Sequence, residues 1–363
     1  MLVIKLLSDM MKSLKVELHH LNDVRKIIAE KELMNMNYKI KTDKDYGYIP
    51  IKEIATPTLI EEIKNTLQLP ELNISNYETE LVATKHYPKS ITEALKGKLN
   101  PTEIEELKKS FDTIGNIVIL EIPKELEKYK KTIGEATLNF TKRTSVYMKK
   151  SPIEGVTRTR QLELIAGENN PITIHKEHGT RLKLDVTNVY FSPRLATERK
   201  RVSDNVKEDE KILDMFCGIG PFPIVIAHNK KCQITAVDIN EYAIKYLKEN
   251  IKLNKLKGSI NPICGDIIEV SENNLTNQKF DRIIMNLPGL AYQFLDLAIK
   301  HVENEGIINY YEFSDNFGQG IERIQKAAHK QNKNVEILEN RKVKSSSPGM
   351  WHVGIDAKIT EKE

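Results

Sequence analysis

A chain of 363 residues allows two or three domains at about 150 residues each, and its 40% apolar, 29% charged composition excludes a disordered polymer. No apolar run reaches the roughly 18 residues that cross a bilayer, and the opening MLVIKLLSDM is broken by Asp9, so neither a membrane span nor a secretory signal is expected. The net charge of +4 is too small to indicate a nucleic-acid partner by itself, and three cysteines without C-x-x-C spacing (Cys217, Cys232, Cys264) point away from disulfides and zinc and fit a reducing cytoplasm.

Apolar periodicity divides the chain into three parts. In the first, residues 1–80, Met10-Met11 is a candidate start. A small α/β unit follows, with strands over 14–18, 38–41 and 46–51 and helices over 24–33 and 59–67. The polar stretch 73–80 reads as its boundary. The second part, residues 81–205, has a helix over 102–109, with Pro101 at its start and Glu103, Glu105 and Glu106 early, as the helix dipole prefers. Strands over 117–122, 136–140, 144–148, 161–165, 172–175, 181–185 and 189–191 make this part β-rich. The third part, residues 206–363, sets strands (211–216, 233–237, 261–264, 280–285, 305–311) among helices (223–227, 243–254, 291–302). That order predicts a parallel, doubly wound α/β sheet, which binds ligands at the carboxyl ends of its strands.

Charge is distributed unevenly. Seven of the 11 arginines (Arg143, Arg158, Arg160, Arg181, Arg194, Arg199, Arg201) fall between positions 143 and 201, while the 44 lysines are spread more evenly. A planar, bidentate, permanently charged fork suits phosphate or guanine recognition. A run of surface ion pairs is the competing reading. Six basic residues against one acidic between 141 and 160 make one face or edge of the middle sheet positive.

The strongest motif is ILDMFCGIGPFPIVIA at 212–227, an apolar strand that ends in a glycine turn and enters a helix. Gly218 and Gly220 let backbone approach a ligand, and the helix N-terminus offers unpaired N–H groups. Asp238 of TAVDIN stands at the end of the next strand, where a carboxylate can hold both hydroxyls of a ribose, and Asp266 of ICGDI repeats the arrangement one strand later. A third glycine, which a dinucleotide pyrophosphate would need near Phe222 or Pro223, is absent. The pattern therefore suits a nucleoside without phosphates, namely S-adenosylmethionine. The competing reading makes Asp238 a helix cap and Asp214 a turn residue. In IIMNLPGLAYQFL at 283–295, Asn286-Leu287-Pro288 ends a buried strand, as in methyltransferases that act on ring or amino nitrogens; a plain Asn-x-Pro turn is the alternative.

Taken together, RTRQLELIAGENN (158–170), TIHKEHGTRLKLDVTNVYFSPRLATER (173–199), LDMFCGIGPF, AVDIN, LKENIKLNKL and IMNLPGLAYQFL closely resemble the archaeal and eukaryotic tRNA (guanine-N1)-methyltransferases that act at tRNA position 37. The resemblance implies a small N-terminal domain binding the tRNA elbow, a middle domain, and a Rossmann-type class I methyltransferase domain, working as a monomer on tRNA with S-adenosylmethionine. It implies that Arg158 contacts O6 of the target guanine, Glu198 accepts the N1 proton and Asn286 orients the base. A base is required because N1 of guanine carries a hydrogen, and a guanidinium at O6 steadies the charge that develops. By the same resemblance Tyr190, Phe216, Gly218, Gly220, Asp238, Asp266, Asn286 and Pro288 line the cofactor site. Arg143, Lys149, Lys150, Arg194 and Arg199 are the expected RNA contacts, which would offset the cost of extruding a stacked nucleotide. RKVKSSSPGMWHVGIDAKI (341–359) resembles the family's closing strand pair, with Pro348 at its turn and Lys342 and Lys344 within reach of RNA. No metal is implied.

Four alternatives stand beside this one, of which a guanine-N2 or other amino methyltransferase would carry a fuller N-P-P-aromatic motif after Met285. Gly289 occupies a position where single-function members often carry a basic residue, so methylation of a tricyclic wyosine precursor stays open. Aminocarboxypropyl transfer at the same nucleotide is disfavoured by the intact NLP. A non-enzymatic tRNA-binding scaffold is disfavoured by the intact glycine turn and Asp238.

Overall fold

The structure, a computed structural model, describes residues 8–84, 88–151, 155 and 158–362. It comprises two compact units, Met1–Pro88 and Lys89–Glu363. In the first, an antiparallel sheet of β1 (Ser8–Glu17), β2 (Lys41–Thr42), β3 (Tyr46–Pro50) and β4 (Ile74–Val82) runs in the order β2-β3-β1-β4. Helices α1 (Leu21–Glu30) and α2 (Pro57–Leu67) bury Val24, Ile28 and Ile63 with Leu14, Val16 and Ile49 of the sheet. The Thr56 side chain accepts from the Leu59 amide and Pro57 opens the helix, so α2 begins where its sequence signals a start.

The polar stretch 73–80, expected to be a boundary, is strand β4. It pairs with β1 from Ser8↔Val82 to Val16↔Ile74, and it reads as polar because it is an edge strand that buries only Ile74, Thr79 and Leu81. That pairing also extends β1 six residues ahead of the expected start at 14.

The second unit opens with α3 (Ile91–Leu95) and α4 (Pro101–Glu106), the latter closed by a reciprocal capping box between Asn100 and Glu103. A four-stranded sheet follows in the order β5-β6-β7-β8, formed by Phe111–Ile114, Ile117–Leu120, Ser145–Lys149 and Leu162–Gly167. Its parallel β6–β7 pair is bridged by helix α5 (Lys130–Thr141). The strand expected over 136–140 is therefore the end of α5. Ile133, Ala136, Thr137 and Phe140 recur at helical spacing and face one core.

Strands β9 (Ile172–Glu177) and β10 (Thr180–Asp185) form a hairpin. The strand expected over 189–191 is instead irregular chain leaving a turn fastened by Asp185. Its carboxylate accepts from the Thr187 amide and hydroxyl and the Asn188 amide side chain, and its carbonyl accepts from the Asn188 and Val189 amides. Helix α6 (Ala196–Asn205) shares a core with α7 (Pro221–Asn229) through Val202, Phe222 and Ile226.

The largest sheet runs β13-β12-β11-β14-β15-β17-β16, formed by β11 (Lys211–Asp214), β12 (Gln233–Asp238), β13 (Ser259–Cys264), β14 (Phe280–Met285), β15 (Val302–Ser314), β16 (Lys333–Ser347) and β17 (Met350–Glu361). The first five in that order are parallel; β17 and β16 close the edge as an antiparallel pair turning at residues 348–349. Helices α8 (Glu241–Leu253), α9 (Ile267–Asn273), α10 (Leu295–His301) and α11 (Gly318–Lys330) complete this doubly wound, Rossmann-type fold. Chain order reverses between β11 and β14, the switch point at which such sheets hold ligands. Among the described residues no helix is long and apolar enough to cross a membrane.

Candidate active site

An open cleft lies over the switch point. Its floor comes from the carboxyl ends of four parallel strands: Phe216 and Gly218 after β11, Asp238 ending β12, Asp266 after β13, and Asn286 and Pro288 after β14. The 186–192 segment brings Tyr190, Phe191 and Ser192 to its wall, and Arg158 joins them.

Each floor residue has a local reason to be there. Gly218 takes φ +54°, and a Cβ added to it would meet nothing nearer than the Tyr190 carbonyl at 3.9 Å, so the glycine keeps the cleft floor low. Gly220 behaves differently: it does not line the cleft, and a Cβ there would strike Leu247 Cδ1 at 2.3 Å. Its expected cofactor contact is thus a packing role, the left-handed N-cap of α7. Asp238 Oδ2 accepts from the Gly218 amide at 2.6 Å and Oδ1 from the Asn240 amide at 2.9 Å. Burial raises its pKa despite those two bonds, so donors such as ribose hydroxyls would relieve a carboxylate that is short of hydration. Asp266 caps α9 through the Ile268 amide at 2.7 Å while still facing the cleft. Asn286 Oδ1 is buried with no partner among the described residues, as is Oδ2 of Asp214, whose carboxyl burial pushes up to about 8.

Arg158 stands in the left-handed region at φ +53°, which a residue with a Cβ seldom adopts and which clusters at functional sites. One guanidinium nitrogen donates to the Pro288 carbonyl at 3.1 Å, and the group lies 5.5 Å from the centre of the Tyr190 ring. Arg158 thus touches Pro288 and Tyr190 in the cleft, which Asn286 also lines, while Asp238 and Asp266 come from the ends of β12 and β13.

Glu198 does not line this cleft. It is 5% exposed and held by Arg201 at 3.0 Å, by the Tyr311 hydroxyl at 2.6 Å, and by Arg341. Burial alone would raise its pKa, but the hydrogen bonds from Arg341 and Arg201 override that and bring it down to about 2. Both arginines also pair with Asp356.

The arginine cluster divides accordingly. Arg199, expected among the RNA contacts, is 1% exposed: it chelates Glu177 through two 2.6 Å bonds and donates to the Ser192 carbonyl, which leaves it no face for phosphate. It braces the cleft wall instead. Arg194 pairs with Asp112 at 2.6 Å but stays half-exposed. Lys150 reaches Glu127 at 3.4 Å, Lys149 lies 4.0 Å from Glu121, and Arg143 is exposed. None of these four is in the cleft.

Sequence reasoning passed over His352, which lines the cleft, and over Tyr311 and Arg341, which hold Glu198. The signal was present in WHVGID, where His352, Gly354 and Asp356 alternate on one face of a strand.

Comparison with known proteins agrees with this layout. The TRM5/TYW2 methyltransferase domain matches residues 173–338, a TYW2 N-terminal domain matches 91–170, and the tRNA methyltransferase 5 N-terminal domain matches 13–59. The tRNA (guanine(37)-N(1))-methyltransferase Trm5b of Pyrococcus abyssi is 42% identical over 96% of this chain and 99% of its own length. A solved complex of aTrm5 with tRNALeu is 38% identical with a TM-score of 0.81, covering 95% of this chain and 99% of that one. Trm5 of Methanocaldococcus jannaschii, solved in complex with adenosine, is 37% identical with a TM-score of 0.65, covering 97% and 100%. With full-length similarity of this order, and the strand-end acids, glycine turn and NLP motif gathered in one cleft, the chain belongs to the archaeal and eukaryotic tRNA (guanine-N1)-methyltransferase family, whose members are methyltransferases of the Rossmann-type class I fold.

Proposed function

We propose that this protein transfers a methyl group from S-adenosylmethionine to N1 of guanosine 37 in tRNA. The observation that carries the reading is that Arg158, bonded to the carbonyl of Pro288 in the Asn286-Leu287-Pro288 turn, lines the same cleft as Asn286 and the strand-end carboxylates Asp238 and Asp266. The residues present fit the cofactor: Asp238 has lone pairs left for ribose hydroxyls, Asp266 lines the same cleft one strand on and is assigned to the adenine amino group, and the open space above Gly218 admits a nucleoside. When bound, the sulfonium supplies an electrophilic methyl group. The protein's share is to hold the base in plane, to steady negative charge at O6 and to accept the N1 proton.

Arg158 suits the second task, because its guanidinium is already oriented by the Pro288 carbonyl and partly desolvated. Asn286 suits the first, since its Oδ1 lacks a partner until a base provides an N–H. Glu198 is assigned the third. A carboxylate at about 2 is a weak base, so the assignment requires Arg201 and Arg341 to loosen their hold when tRNA is seated. The N-terminal unit is assigned to the tRNA elbow, and Arg143, Lys149, Lys150 and Arg194 to the phosphates around the anticodon loop. In this reading one chain serves one tRNA in the cytoplasm.

The test is transfer of labelled methyl from S-adenosylmethionine to an unmodified tRNA transcript, beside a transcript whose guanosine 37 is replaced. Incorporation confined to the first is expected. Equal incorporation into both sinks the proposal.

A further inference from the structure

His352 lies in β17 opposite Phe313 of β15 and Lys344 of β16, is 1% exposed, and forms part of the cleft wall. Neither of its ring nitrogens has a hydrogen-bond partner among the described residues. An imidazole must carry at least one N–H, and the neutral ring adds one acceptor, so a donor and an acceptor are both left unpaired, which is unfavourable for buried polar atoms. The ring is wedged between Tyr311, 5.5 Å away at 73°, and Phe313, 5.6 Å away at 63°. Such edge contacts on two sides fix its plane. A buried group that is fixed and unpaired at a cleft marks where a ligand's polar atom belongs.

Its surroundings indicate which ligand. The strand-end acids that suit a nucleoside, Asp238 and Asp266, come from β12 and β13 on the far side of β11 and β14 from β17. His352 is at the other end, beside Phe313, whose ring lies 3.9 Å from the place a Cβ on Gly289 would take. Gly289 follows Pro288, whose carbonyl holds Arg158. Burial, helped by the cations Lys344 and Arg158 and opposed by Glu198, pushes the imidazole down to about 3 and keeps it neutral at physiological pH. A neutral ring with a donor and an acceptor matches an uncharged base edge better than it matches a sulfonium.

We propose that His352 is a substrate-contact residue, one of whose ring nitrogens hydrogen-bonds the Watson–Crick edge of the purine held beside Arg158 and so fixes the in-plane orientation of the base. The contact rests on the guanosine reading given above. No covalent bond is made or broken at His352; it positions the acceptor while the proton leaves by another group.

The full-length protein carrying His352→Phe or His352→Gln is compared with wild type for single-turnover methyl transfer to the guanosine 37 transcript at saturating S-adenosylmethionine. His352→Phe keeps the ring shape without its nitrogens and is expected to be at least about 10-fold slower, with cofactor affinity by calorimetry within about twofold. His352→Gln restores a donor and an acceptor and is expected to recover at least about threefold of that loss. A His352→Phe rate equal to wild type overturns the contact, as does a loss mirrored in cofactor binding. Should His352→Phe not fold, wild-type protein labelled with 15N-histidine decides: the His352 ring signals, assigned from His352→Gln, shift with the guanosine 37 transcript plus S-adenosylhomocysteine but not with a transcript abasic at 37. No shift, or the same shift with both, overturns it. Wild type that fails to methylate guanosine 37 refutes the reading of the reaction, whereas active wild type with an unaffected His352→Phe refutes the contact alone.

Discussion

Two buried sets of polar groups in the second unit follow opposite rules. Around Glu198 the carboxylate itself is fully held: three side chains donate to it and Asp356 shares two of them, although Nη1 of Arg341 has no hydrogen-bond partner among the described residues. In and beneath the cleft the bonds are missing, with Asn286 Oδ1, Asp214 Oδ2 and both nitrogens of His352 left without partners. Saturated networks hold a fold in one arrangement, while unpaired buried groups cost free energy until something arrives to satisfy them. The contrast separates a carboxylate held by its own neighbours, which tRNA would have to loosen, from cleft groups that are unpaired.

Breaking the comparison begins with Arg158→Ala. If the cleft groups act on substrate, the single-turnover rate falls about 10²–10³-fold with cofactor affinity unchanged within about twofold; a rate near wild type would remove Arg158 from the chemistry. Arg199→Met probes the saturated side, leaving Glu177 buried with only His175 at 3.7 Å. A loss of about 3–5 kcal/mol in urea unfolding is expected, whereas an RNA contact would shift tRNA affinity and leave stability alone. Asp238→Ala should weaken the cofactor about 30-fold by calorimetry, the worth of roughly 2 kcal/mol of charge-assisted bonding, without changing tRNA affinity.

Acid sharpens the same distinction. The folded-state pKa of Glu198, about 2, lies below its ordinary 4.5, so the stability it contributes is complete above about pH 4.5 and disappears as pH falls toward 2. Urea midpoints at pH 6, 4 and 3 should therefore drop less steeply for Glu198→Gln than for wild type. The smallest effects belong to the surface. Lys149→Ala and Lys150→Ala should each weaken tRNA binding a few-fold and lower the salt slope by about 1, and unchanged slopes would move the RNA path elsewhere.

What could be read from residues alone was what is local. Asp238, Asp266 and Asn286 each end a parallel strand within a few residues of a turn or cap, and the glycine turn lies between a strand and its own helix, so type and spacing sufficed. Gly220 shows the limit of that reasoning: its glycine was legible, but Leu247, the side chain that requires it, sits on another helix. The arginines of 143–201 were legible as a cluster. Arg158 and Arg199 both line the cleft; that Arg199 is committed there to Glu177 depends on a separate hairpin. Helix α5 was misread where β-prone residues outweighed a helical period, and β4 because an edge strand has one polar face. Arg341 and Tyr311 meet Glu198, and His352 joins Arg158 in lining the cleft, across more than 100 positions of chain, beyond any local pattern.

The hairpin of β16 and β17 has a consequence for biosynthesis. It delivers Arg341 to Glu198 and His352 to the cleft, after every strand that carries the nucleoside-facing acids has already been made. A nascent polypeptide stalled on the ribosome before residue 333 would possess the glycine turn, Asp238, Asp266 and Asn286, yet Glu198 would lack Arg341, one of its three donors, and the cleft would lack the wall that His352 supplies. Translation thus places the strand that covers β15, and with it Ile355, Ala357 and Ile359 of the core, at the end of synthesis, so premature termination in this hairpin would leave the large sheet with an open edge.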